Sequence, residues 1–173
     1  APISSLTQED EKARRLNLFY EPVRDEVLRS HNWGFATAEE PLALVEKQEN
    51  RFLYKYPQEA LFIRRVYRPQ YKNTPFRELF HSKYRIRVLE SACPQAWAEY
   101  TRRAEDENQF DASFVKSFSL ALAADLAVSL TGDNALAAQI LQKYTLSLDE
   151  ARRSNMTENF AQSGQTDAFT EVR

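Results

Sequence analysis

The chain has 173 residues, of which 43% are hydrophobic and 28% charged, and its net charge is −2. These are ordinary values for a globular protein, and the weak negative charge argues against a protein that captures nucleic acid by electrostatic attraction. One cysteine, Cys93, excludes an intramolecular disulfide, and three glycines argue against a glycine-rich phosphate loop.

The first predicted element is a long helix at the start of the chain. Apolar residues recur every three or four positions up to Ser30, and Thr7 with Asp10 three residues later indicates an N-terminal cap. Pro22 lacks the amide hydrogen that an uninterrupted helix needs, so we expect a kink there. Thr37 followed by two glutamates predicts a short second helix that ends near Pro41 or about a turn later.

The middle of the chain changes from a helical to an alternating apolar pattern. Residues 61–67 are rich in strand-forming side chains, and residues 84–89 alternate between apolar and basic. Residues 96–101 are a third candidate strand, expected to pair with 84–89. We therefore predict a small antiparallel sheet within a β-rich region at about 59–101.

The last third predicts a helical hairpin. Asp111 is a predicted N-cap, and the segment Phe118–Leu130 is apolar nearly all round, which predicts a central core helix. Gly132 predicts the end of that helix, and an apolar face continues in a further helix from residue 133 or 134 to about Ala151. Residues 155–173 are polar, which is typical of a flexible tail.

Together these elements predict a mainly α fold of the α+β type. The expected architecture is a helical bundle with a long kinked N-terminal helix, a small antiparallel β-sheet insertion, and a C-terminal helical hairpin followed by an extended tail. Residues 1–154 are predicted to form a single domain, with residues 155–173 as the tail.

The residue types that carry catalysis or bind metal show no recognisable arrangement in the sequence. His31, His81 and Cys93 lie far apart, without the short spacings of metal ligands, and no nucleophile or phosphate-loop motif occurs. We therefore predict a protein that is not an enzyme, with no catalytic residue, no cofactor and no metal. The chain also lacks a run of about eighteen apolar residues, so no membrane partner is predicted.

Asp125 is a carboxylate within an otherwise apolar stretch of the predicted core helix. A dry, unpaired carboxylate is costly, so a partner is expected. Two interpretations stay open: an ion pair with an arginine of the first helix, such as Arg24 or Arg29, or a contact across a boundary between subunits.

Several segments together resemble one known family. Residues 16–36 read LNLFYEPVRDEVLRSHNWGFA, Tyr56-Pro57 precedes an apolar and basic strand, and Phe110-Asp111 begins a helix that ends in Leu-Thr-Gly at 130–132. This order resembles the tail tubular protein A family, the head-to-tail adaptors (connectors) of short-tailed bacteriophages. Two departures are an additional N-terminal helix, common in the family and absent here, and Asn32, where proline is frequent.

The resemblance implies a structural virion protein of the neck or tail, present in the host cytoplasm during assembly. It implies a ring of about twelve identical subunits that docks beneath the portal protein, continues the DNA channel and offers a platform for a downstream tail or nozzle protein. Double-stranded DNA passes through such a ring during ejection without sequence-specific binding.

Two sets of residues follow as candidates. The polar tail is expected to fold on binding the portal or a neighbouring subunit, with these contact residues: Phe160, Phe169, Val172 and Arg173. A second set is expected to be structural rather than a contact surface: Pro22, Arg24, Asp25, His31, Trp33, Phe35 and Asp125.

Other functions stay open at this point. A tail-side collar that also carries fibres is the same class of protein, and extra surface near residues 68–82 would favour it. A bacterial or prophage helical interaction module without a virion role is a different class, as is a cell-wall hydrolase.

Overall fold

The computed structural model describes residues 10–69 and 73–163, with side chains as far as residue 155. Within these residues the chain contains three α-helices, seven β-strands and two short 3-10 helices. The helices are α1 (Glu11–Ser30), α2 (Ala112–Thr131) and α3 (Asn134–Ser163). The strands are β1 (Thr37–Pro41), β2 (Leu44–Gln48), β3 (Arg51–Lys55), β4 (Ala60–Tyr67), β5 (Phe76–His81), β6 (Ile86–Ser91) and β7 (Trp97–Arg102).

The chain forms two compact units. The helical unit comprises the residues up to Val27 and from Phe110 onward, and the β unit comprises Leu28–Gln109, including all seven strands. The predicted single domain over residues 1–154 stays a prediction. Helix α3 continues to Ser163, so residues 155–163 of the predicted tail are helical, while residues 164–173 lie outside the described residues.

The β unit contains two antiparallel sheets that share one hydrophobic core. The three-stranded sheet has the order β1-β7-β4 and the four-stranded sheet has the order β2-β3-β6-β5. Their common core contains Ile63, Val66, Ala98 and Tyr100 from the first sheet and Tyr54 and Leu89 from the second. The Tyr54 hydroxyl donates a hydrogen bond to the carbonyl of Cys93 at 2.5 Å, so its polar end is satisfied within the core.

The predicted fold class, a mainly helical bundle with a small sheet insertion, is wrong. Seven strands in two sheets span Thr37–Arg102, and the predicted short helix at Thr37–Pro41 is strand β1. The two glutamates that suggested a helix have partners on the other two strands of the same sheet. Glu39 accepts a hydrogen bond from Arg65 on β4, and Glu40 accepts one from the Tyr100 hydroxyl on β7. Tertiary pairing thus overrides the local preference of this segment.

Two details of strand pairing also differ from the prediction. Strand β7 pairs with β1 and β4, whereas β6, its predicted partner, pairs with β3 and β5. The β2–β3 hairpin was not predicted at all. Its two-residue turn places Glu49 at a φ of 34°, where glycine or asparagine normally stands, so the usual turn signal is missing from the sequence.

The helical hairpin, in contrast, is confirmed, with both ends of α2 and the start of α3 where they were predicted, although α3 continues to Ser163 rather than ending near Ala151. The Asp111 carboxylate accepts a hydrogen bond from the Phe114 amide at 2.6 Å, which makes it the N-cap of α2. Gly132 adopts the left-handed conformation, with a φ of 69°, directly after α2. The Asp133 carboxylate then accepts hydrogen bonds from the amides of Ala135 and Leu136 and caps α3.

Candidate assembly surface

Helices α2 and α3 pack against each other along a buried, partly polar seam. The hydroxyls of Ser117 and Ser147, both buried, form a hydrogen bond of 2.9 Å between the helices. Lys116 and Glu150 form an ion pair of 2.7 Å at the surface beside it. Small residues at the seam let the two helices approach closely, and these contacts establish which side of α2 faces α3.

Helix α1 packs on a different side of α2. The ring of Tyr20 meets the ring of Phe118 edge to face, with 5.1 Å between centroids. The Arg15 guanidinium donates to the carbonyl of Ser129 and also pairs with Glu11 at 2.5 Å. Two sides of α2 are thus occupied by α1 and α3.

The remaining side of α2 carries an exposed apolar row, which we call the α2 stripe. Its members are Val115, Ser119, Leu122, Leu126 and Leu130. Their spacings of four, three, four and four residues keep them on one side of the helix. Val115 and Leu130 are 45% and 47% exposed, and Leu122 and Leu126 are half-buried. Ser117, two positions after Val115, lies about 200° around the helix, so Val115 points away from the seam with α3, whereas Ser119 lines a groove between the two helices.

This arrangement corrects the prediction that α2 is a central core helix. Only 28% of its most apolar 18-residue stretch is buried. In the described part of the chain, α2 is the one helix long and apolar enough to cross a membrane, a property that it shares with core helices of soluble proteins. Lys116 and Asp125 both lie exposed on this helix.

Helix α1 also carries an exposed apolar residue, Leu18, on its outer side. Leu18 is 70% exposed, and it lies two positions before Tyr20, about 200° away around α1. It therefore points away from the side of α1 that packs on α2. Arg14, one turn before Leu18, is also exposed, and its guanidinium has no ion pair with any described residue.

A shallow groove runs between α2 and α3 on the side next to the stripe. It has a volume of about 470 Å³, and its lining includes the apolar Leu120 and Leu146 and the charged Lys116, Lys143 and Glu150. Leu146 is 57% exposed. The groove extends the apolar surface of the stripe toward α3.

The predicted structural residues are divided between the two units. Pro22 lies within α1 with no break in the helix, and the buried Arg24 pairs with the adjacent Asp25 at 2.9 Å, both in the helical unit. In the β unit, the rings of His31 and Trp33 meet edge to face at 4.7 Å. Trp33 is buried, and the half-buried Phe35 accepts a hydrogen bond from Arg102 through its carbonyl.

Asp125 differs from what its sequence context suggests. Its side chain is exposed rather than buried, and it makes no ion pair with Arg24, Arg29 or any other residue in the described part of the chain. The cost of a dry carboxylate therefore does not arise in the single subunit. Asp125 follows Leu122 by three residues, so it borders the α2 stripe.

The four predicted contact residues cannot be placed on this surface. Phe160 lies within α3, but its side chain is outside the described part. Phe169, Val172 and Arg173 lie wholly outside the described residues. Their predicted role in binding a portal or a neighbour stays a prediction.

Sequence reasoning missed one structurally important residue, Arg64. From β4 its guanidinium donates hydrogen bonds to the carbonyls of Leu28, Arg29 and His31 at the end of α1, and to the hydroxyl of Thr101. The last carbonyls of a helix have no intrahelical partner, so this arginine satisfies them. Arg64 stands beside Arg65, and nothing in the neighbouring sequence indicates this role.

In the described part of the chain, the side chains that could bind a metal ion do not form a cluster. No group of three or more His, Cys, Asp or Glu side chains there could hold a metal ion. Cys93 is buried. Burial, together with the nearby Glu40 carboxylate, raises the pKa of Tyr100 to about 12, so this hydroxyl stays protonated at neutral pH.

Comparison with models of known protein families returns no match, and neither does comparison with curated proteins. The functional argument therefore depends on the residues and surfaces described above.

Proposed function

We propose that the protein is a structural subunit of a head-to-tail connector in a short-tailed bacteriophage. In this role, copies of the chain form a ring that docks beneath the portal protein and continues the DNA channel. The ring provides a platform for the downstream tail or nozzle protein, and it resides in the neck of the virion after assembly in the host cytoplasm. The protein is not an enzyme and needs no cofactor.

The exposed α2 stripe carries the proposal that this is an assembly protein. Contiguous apolar rows on a helix surface are uncommon in monomeric soluble proteins and are typical of interfaces. Leu18 on α1, which is 70% exposed, adds a further apolar position at the surface of the described residues. The assignment to phage connectors in particular depends on the resemblance of residues 16–36 and 110–132 to that family.

The direct test mixes the purified chain with rings of the cognate portal protein. We expect the two to sediment together, and electron microscopy to find a second ring on one face of the portal. A chain that stays apart from the portal at every ratio would contradict the connector function.

The predicted tail contacts are tested in the same assay. Replacing Phe169 and Val172 with serine removes both apolar anchors, and we expect portal binding to weaken by about tenfold or more. The matched control, Thr166→Ala with Thr170→Ala, changes two polar residues of the same segment and should bind like the unchanged chain. Equal binding by both double variants would contradict a docking role for the tail.

A further inference from the structure

The groove between α2 and α3 is a concave surface that a short peptide segment could fill. Its lining combines the apolar Leu120 and Leu146 with the charged Lys116, Lys143 and Glu150. Lys116 and Glu150 neutralise each other at 2.7 Å, whereas Lys143 forms no ion pair with any residue in the described part of the chain. The groove therefore offers an apolar surface beside one uncompensated positive charge.

The end of the chain is attached close to this groove. Helix α3 ends at Ser163, and residues 164–173 follow it, outside the described residues. Glu150 lies thirteen residues before Ser163, about 20 Å along the helix, and Lys143 lies about 30 Å before it. A segment in the extended polyproline conformation advances about 3.1 Å per residue. Residues 164–173, turned back along α3, are therefore long enough to reach the groove.

The apolar side chains of residues 164–173 match the groove in position. Phe169 and Val172 are the only large apolar residues of this segment, and they are three residues apart. The polyproline conformation has three residues per turn, so both side chains lie on one face. Phe169 then reaches about 19 Å from Ser163, to the level of Glu150, and Val172 reaches about 28 Å, slightly past the level of Leu146.

Reach and charge both distinguish the groove from the other exposed apolar residues of α3. Leu136 and Leu141 lie about 40 Å and about 33 Å before the end of the helix, farther than Val172 extends. Glu171 reaches about 25 Å, so its carboxylate comes within the length of a lysine side chain of the level of Lys143. The segment thus supplies a negative charge where the groove has an unpaired positive one.

We propose that residues 164–173 bind in the groove between α2 and α3 of their own chain, with Phe169 and Val172 on its apolar lining and Glu171 beside Lys143. Attachment to α3 favours this occupant, because a short tether gives an effective concentration in the millimolar range and modest contacts then suffice. The inference concerns the free chain and does not depend on the connector function. Phe169 and Val172 are also predicted portal contacts, so a portal that binds them displaces them from the groove.

Nitrogen-15 relaxation of the full chain measures whether the segment is held. We expect backbone order parameters of about 0.85 for residues 169–172, as in a rigid backbone. Leu146→Ser removes the apolar lining on α3 and should lower these values below about 0.6, as in a flexible chain. The matched control is Leu141→Ser, which should leave them unchanged, because the two leucines are 54% and 57% exposed on the same helix but only Leu146 lines the groove.

A charge exchange tests the direction in which the segment lies. Lys143→Glu opposes two carboxylates and should lower the order parameters of residues 169–172. Lys143→Glu combined with Glu171→Lys restores opposite charges and should return the order parameters to those of the unchanged chain. Far-UV circular dichroism checks that every variant keeps its helices.

Order parameters that fall in Leu146→Ser, hold in Leu141→Ser and return in the charge exchange support the inference. Values below about 0.6 in the unchanged chain would overturn it, as would equal values in the two leucine variants or a charge exchange that restores nothing. The measurement is repeated at tenfold lower concentration, where a segment held by its own chain keeps its order. Loss of order on dilution would overturn the inference, because the groove of a second copy would then hold the segment.

Discussion

The two units bury their apolar residues in different ways. In the β unit, Tyr54, Leu89 and Val66 are almost fully buried in a core shared by two sheets. Its large exposed apolar side chains are scattered, as with Leu44 on edge strand β2 and Phe80 on edge strand β5. In the helical unit, α2 carries a row of mostly apolar residues in which Val115 and Leu130 are exposed and Leu122 and Leu126 are half-buried. The β unit buries its large apolar residues in its own core, whereas the described part of the helical unit leaves apolar residues of α2 exposed.

The largest expected effect is a loss of stability caused by a cavity in the core of the β unit. Leu89→Ala removes a side chain with no exposed surface, and we expect it to lower the free energy of unfolding by about 3 kcal/mol. The matched control, Leu130→Ala on the α2 stripe, should change it by less than about 0.5 kcal/mol in the monomer. Both tryptophans, Trp33 and Trp97, lie in the β unit, so tryptophan fluorescence follows the unfolding of that unit. Far-UV circular dichroism, recorded in the same denaturation, follows the unfolding of the helical unit, where Leu130 lies. Equal losses for the two variants would contradict the comparison.

A smaller loss of stability is expected when the hydrogen bonds from β4 to the end of α1 are removed. Arg64→Met keeps the apolar stem but removes the donors to three helix carbonyls, and we expect a loss of about 2 kcal/mol. Arg51→Met removes an exposed ion pair with Glu90 and should cost less than about 0.5 kcal/mol. The same denaturation measurement compares the two variants, and an Arg64 variant as stable as the Arg51 variant would remove the proposed role of Arg64.

The smallest of these effects depends on pH and should come from the β unit. The pKa of Tyr100 is about 12 in the folded chain, against an ordinary value of 10.0, so the folded state favours the neutral hydroxyl. Its stabilisation is complete below about pH 10 and is lost as the pH rises toward about 12; at about pH 11 the loss is about 1.4 kcal/mol.

The comparison variant for that prediction is Tyr100→Phe, which has no hydroxyl to titrate. Its unfolding free energy should fall less steeply between about pH 10 and pH 12 than that of the unchanged chain. Parallel pH profiles for the two proteins would contradict the assigned cause.

The sequence predicted the helical hairpin well because its signals are local. Asp111 and Gly132 act through hydrogen bonds and backbone conformations within a few residues of themselves, so their types alone predict both ends of α2. The end of α1 at Ser30 was predicted from the same kind of pattern.

The sheets could not be predicted in the same way because their partners are distant in the chain. Glu39 and Glu40 favour a helix locally, and only Arg65 and Tyr100 make them suitable for a strand. Glu49 gives no turn signal for the hairpin that it forms. Information of this kind is tertiary, so periodicity along one segment does not contain it.

The candidate surface was hidden for a related reason. An apolar helix predicts burial but does not say by what, so α2 was assigned to the core of one chain. The positions of α1 and α3 around it decide which residues remain exposed. Asp125 drew attention for its apolar context, but its exposure beside the stripe follows only from the packing.

The most direct test of the central claim is the mass of the chain in solution, measured by light scattering over a range of concentrations. We predict that the mass rises above the 20.1 kDa of one chain as concentration increases. Serine at both Val115 and Leu130 should hold it near 20.1 kDa, while Leu141→Ser, at a position 54% exposed on α3, should behave as the unchanged chain does. A mass of 20.1 kDa for the unchanged chain at every concentration would contradict the claim that copies of the chain associate through the α2 stripe.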